Sequence, residues 1–121
     1  MAERTTFAHD AVLTMDAEDD DAAPGGAITL ALCGSWSHEP PCPLAPHHTA
    51  AVRSGDEVTL RVLFAARPED EPRVRALIDG ALVHGQGIDP DGTRTHWDVV
   101  RTGASPVGPA EEEHARRLTV S

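Results

Sequence analysis

Apolar and polar residues alternate from Thr5 to Met15. Phe7, His9, Ala11, Leu13 and Met15 fall on one face and Asp10, Val12 and Thr14 on the other, the period-two signature of a strand. The next stretch, DAEDDDAAPGG, is a run of carboxylates closed by Pro24-Gly25-Gly26, which reads as a flexible acidic loop over residues 16–26. Residues 27–33 alternate again, with Ile28, Leu30 and Leu32 facing the core and Thr29, Ala31 and Cys33 facing away. A second short strand is expected over residues 47–53, a tight turn at Ser54-Gly55-Asp56, and the clearest strand over residues 57–66, where Val58, Leu60, Val62 and Phe64 form the stripe.

The period then changes. Val74, Leu77, Ile78, Ala81 and Leu82 stand at i, i+3, i+4, i+7 and i+8, one face of a helix. Asp70 suits its N-cap, Pro72 its first turn and Gly85 its C-terminal stop. Gly80 costs about 1 kcal/mol against Ala inside a helix, an expense that close packing on the sheet would explain. Further strands are expected around Trp97 and Val99 and through Leu118 and Val120, with a turn of helix near Glu111–His114. The pattern predicts an α+β fold: a largely antiparallel β-sheet of about six strands with one principal amphipathic helix packed on one face.

Length changes this picture little. The 121 residues suit a single domain, and a chain of this size buries enough surface to fold without disulfides or metal. The large apolar residues are few, with two Phe, two Trp and no Tyr, so Trp36 and Trp97 should be the largest core pieces. Lys, Asn and Tyr are absent while Ala, Arg, Gly and Pro abound, which codon composition explains without any role in anion recognition. The net charge of −10 opposes binding to nucleic acid and to anionic membrane surfaces. No basic leader with an apolar run opens the sequence, and no apolar stretch approaches the ~20 residues of a membrane span, so the expected location is cytoplasmic.

In that compartment two cysteines are expected as thiols or metal ligands rather than a disulfide. Both lie in a Cys/His/Pro-rich loop over residues 33–48, together with three of the seven histidines. Pro40, Pro41, Pro43 and Pro46 stiffen it, lowering the entropy lost on ordering. Thiolate and imidazole are the ligands zinc prefers, so Cys33, His38, Cys42, His47 and His48 are the candidate metal ligands, with zinc or another transition metal as the cofactor. The spacing C-x4-H-x3-C-x4-H-H contains no CxxC pair and matches no common zinc pattern. Adjacent His47 and His48 point to opposite faces of an extended segment, so one of them is expected to ligate.

Other near-motifs have ordinary explanations. Gly85-Gln86-Gly87 follows a helix rather than opening one. Asp89-Pro90-Asp91-Gly92 resembles the start of a calcium loop, but Val100 stands where the bidentate carboxylate belongs. His96 and Asp98 share a strand face and could serve as acid and base, as could His38 with Glu39; a solvated ionic contact explains them as well. The leading expectation is a non-catalytic module that binds a metal ion or small ligand at the residue 33–48 loop. The alternatives are an accessory protein that binds a protein partner or itself as a homo-oligomer, and a small enzyme using the same loop.

Overall fold

A computed structural model describes residues 4–33, 45–88 and 92–119. Five strands and three helices follow in the order β1 (Thr5–Met15), α1 (Ala23–Cys33), β2 (His47–Ser54), β3 (Glu57–Ala66), α2 (Glu71–His84), β4 (Gln86–Ile88), β5 (Arg94–Ser105) and α3 (Glu112–Thr119). The sheet is antiparallel throughout, in the order β2-β3-β1-β5-β4. With short β4 set aside as an added edge, this is the double split β-α-β arrangement of ferredoxin-like domains. The α+β class and the antiparallel sheet stand as the periodicity predicts.

One face of the sheet carries the main core. Ala11, Leu13 and Met15 of β1, Val58, Leu60, Val62 and Phe64 of β3, and Trp97 of β5 meet Ile28 and Leu32 of α1 and Val74, Ile78 and Leu82 of α2. In α2 the three fully buried residues recur every fourth position, and each contributes roughly 1.5–3 kcal/mol through burial. Gly85 ends α2 at φ 75°, the left-handed conformation that an L side chain resists, and its N–H bonds to the Leu82 carbonyl. The Trp97 indole N–H donates to that same carbonyl at 2.9 Å, tying β5 to the end of α2. Asp70 precedes the helix but does not cap it with its side chain; its carboxylate pairs with Arg67 at 3.0 Å instead.

Two segments differ from the sequence pattern. Residues 27–33 form the last two turns of a helix, not a strand, so the acidic loop ends before Ala23 and Cys33 is the last residue of α1. Ile28 and Leu32, one turn apart, are buried in the core. The C-terminal segment through Leu118 is also helical rather than a strand. A β-bulge between Val12 and Leu13 leaves Val100 as the extra residue of β5, 56% exposed.

Helix α3 lies against the opposite face of the sheet. Ala115 is buried there, as are Ala8 and Val12 of β1 and Leu63 and Ala65 of β3. Arg61 of β3 anchors the approach to α3: its guanidinium donates to both oxygens of Glu111 at 3.1 and 2.6 Å and to Asp10 at 2.8 Å. It also reaches Ser105 and the Pro106 carbonyl. The bonds from Arg61, then the bond from the Gly108 amide, hold the Glu111 carboxyl down at about 2. The same carboxylates push the Arg61 guanidinium above its ordinary value.

Candidate functional site

The residues that the sequence singles out divide between two faces of the sheet. His47 and His48 open β2 and point to opposite sides, as an extended backbone requires. His47 faces α1: its Nδ1 lies 3.0 Å from the Ala45 carbonyl and its Nε2 2.9 Å from the Thr29 hydroxyl. A carbonyl can only accept, so Nδ1 carries the proton and Nε2 accepts from Thr29. His48 is exposed on the other face, with its ring centroid 4.6 Å from that of His114 in α3. Cys33 closes α1 one helical turn beyond Thr29. His38 and Cys42 lie outside the described residues, as do Trp36 and Glu39. Among the described residues no group of three or more His, Cys, Asp and Glu side chains is gathered to hold a metal ion.

Helices α1 and α2 leave a cleft between them of about 760 Å³. Its walls are small or apolar: Gly26, Ala27, Leu30 and Ala31 of α1 and Gly80 and Ala81 of α2. His84, Gln86 and Arg94 stand among the lining residues as the polar groups. Gly80 does not pack on the sheet; a Cβ built there meets nothing within 4 Å. A mid-helix glycine that no contact requires is an unforced cost, and here its effect is to keep one wall of the cleft open. Gly87 of β4 lines the end of the cleft, where a Cβ would come within 3.3 Å of the Trp97 ring. The cleft runs to the last turn of α1, from which the Cys/His/Pro loop departs.

A wider, more polar depression of about 1070 Å³ lies beside Trp97, with Asp16, Asp19, Asp56, Asp98, His84 and His96 around it. His96 and Asp98 are both exposed on one face of β5, and no bond or ion pair joins them among the described residues. The acid–base pair suggested by their spacing is therefore not assembled.

One buried polar cluster went unread in the sequence. His9, 2% exposed, sits on the apolar stripe of β1. Arg75 donates to its Nδ1 at 3.0 Å, so Nε2 carries the proton and faces Asp79 at 2.8 Å and the Thr102 hydroxyl at 2.9 Å. Arg75 also bonds Glu71 and the Ala8 carbonyl and lies over the rings of Phe7 and Phe64. Every polar atom of the imidazole is engaged, and the network clamps α2 to β1 and β5.

No family model matches the chain, and no characterised protein matches it significantly. The double split β-α-β order serves many unrelated functions, so it assigns none here. Among the described residues no helix is long and apolar enough to cross a membrane.

Proposed function

We propose that this domain is a non-catalytic module that binds a small, largely apolar ligand bearing one anionic or hydrogen-bond-accepting group, in the cleft between α1 and α2. The carrying observation is the cleft itself. Its volume of about 760 Å³ is that of a small-molecule site, its walls are apolar, and a few polar groups converge on it. Arg94 is exposed and makes no ion pair among the described residues, so its charge is available to a ligand head group. An anilinonaphthalene sulfonate dye, apolar with a single sulfonate, tests the reading. It should bind saturably at one site per chain, about tenfold more weakly in Gly80→Leu, which fills the cleft, and about threefold more weakly in Arg94→Gln. Unchanged dye binding in a folded Gly80→Leu protein would remove the cleft from consideration.

A second reading, zinc held by Cys33, Cys42 and a histidine of the 33–48 loop, draws support from His47. Its Nδ1–H donation to the Ala45 carbonyl turns Nε2 toward α1, the helix that ends at Cys33, where it accepts from the Thr29 hydroxyl, a bond that a metal ion would have to displace. A carbonyl partner on the non-ligating nitrogen is the usual orienting device of a metal-binding histidine. Elemental analysis of the purified protein should then find near-stoichiometric zinc, lost in Cys42→Ser. A metal-free protein with freely reactive thiols contradicts it.

A further inference from the structure

Among the described residues strand β2 is an outer edge of the sheet and pairs with β3 alone. The bond from the Ala65 amide to the Pro46 carbonyl, 2.9 Å, marks which residues of β2 turn their backbone toward β3. That role alternates along an antiparallel ladder, so His48, Ala50 and Val52 face β3. The N–H and C=O groups of Thr49 and Ala51 point away from the sheet. Native edges are commonly blunted by Lys, Pro or a bulge. Residues 49–52 carry no such protection, and Val52 is 68% exposed.

A groove of about 450 Å³ runs beside this edge, between β2 and the first turns of α1. Asp21, Gly25, Thr29, His47, Thr49 and Ala51 line it. The Thr49 hydroxyl is buried and has no hydrogen-bond partner among the described residues. Gly25 lets α1 come close, since a Cβ there would already touch the Thr49 methyl at 3.4 Å.

We propose that this edge accepts an extended, basic segment of a partner protein as an added β-strand. Main-chain bonds to Thr49 and Ala51 supply affinity, and the groove receives alternate side chains of the segment. Charge selects the occupant. Asp21 lines the groove, Asp16, Glu18, Asp19 and Asp20 precede it in the same loop, and Asp56 and Glu57 stand at the far end of β2. The nearby cation, Arg53, is bonded to the Ala17 and Asp16 carbonyls and stands 3.9 Å from Asp21, so the excess negative charge is carried by the other carboxylates of the loop and by Asp56 and Glu57. A second copy of the chain would bring two bodies of net charge −10 together, whereas a basic segment meets a complementary surface.

The test is amide exchange followed by NMR, with an acetylated and amidated octapeptide of alternating Val and Arg as the probe. In the free protein the amides of Ala50 and Val52 should be protected and those of Thr49 and Ala51 should not. Saturating peptide should slow the latter two by at least about tenfold. Ala51→Pro removes an outward N–H and leaves the β3 ladder intact, so it should keep protection at Ala50 and Val52 while weakening the peptide about tenfold or more. A Val/Glu peptide should bind at least about tenfold more weakly than the Val/Arg one. The proposal is overturned if the peptide does not bind, or if bound peptide leaves Thr49 and Ala51 unprotected. Protection at those amides that grows with protein concentration in the absence of peptide would assign the edge to a second copy and overturn it equally.

Discussion

Arg61 reaches five acceptor atoms, on Asp10, Ser105, Pro106 and both oxygens of Glu111. It thereby joins β3 to β1, to the end of β5 and to the turn that opens α3. The charge on Glu111 is essential to this arrangement, because a protonated carboxyl loses a charge-assisted bidentate pair. Its folded value of about 2 lies below the ordinary 4.5. The stabilisation is therefore complete above the unfolded value and is lost as pH falls toward about 2. Discounted for partial exposure, the pair contributes about 1–2 kcal/mol. Glu111→Gln should lower the urea midpoint at neutral pH and flatten the decline in stability between about pH 5 and pH 2. Equal declines in the two proteins would show that Glu111 is not the group responsible.

At the scale of elements, β1, β3 and α2 were legible because each has one buried face and one wet or partly wet face, so its period survives in the sequence. Helix α1 has no such contrast. Ile28 and Leu32 enter the core while Ala27, Leu30 and Ala31 line the cleft. An apolar residue at nearly every position reads as easily as a buried strand. Pro24-Gly25-Gly26 reinforced that reading as a turn, although proline is equally at home in a first helical turn and Gly25 is small where α1 nears Thr49. The 33–48 loop was visible from composition alone. The cleft was not, because its walls come from small residues of two helices about fifty positions apart, and small residues carry no chemical signal. His9 was placed on the correct face of β1, but its partners Arg75, Asp79 and Thr102 lie far away in sequence and only the fold assembles them.

Across the whole molecule the two faces of the sheet are held very differently, and this sets the order in which the domain should open. The α1/α2 face is closed by a continuous apolar core and the His9 clamp. Helix α3 has eight residues; Ala115 is its one buried side chain among those described, and the adjoining Glu111–Arg61 pair ties its first turn to β3. So short a helix has little stability of its own and depends on those contacts. It should behave as a separate unit of low local stability. Ala115→Asp places a carboxylate at a buried position where α3 meets β1 and β3, and burying an unpaired charge there costs about 2–4 kcal/mol. Peeling α3 away avoids that cost without opening the core. Amide exchange in Ala115→Asp should accelerate throughout α3, while the amides of Val74, Ile78 and Leu82 change little. Acidification toward pH 3 should produce the same ranking in the unmodified protein, because it weakens the Glu111–Arg61 tie and leaves the apolar core intact. If α2 and α3 lose protection together in both experiments, the domain opens as one unit and the α3 contacts are stronger than their geometry implies.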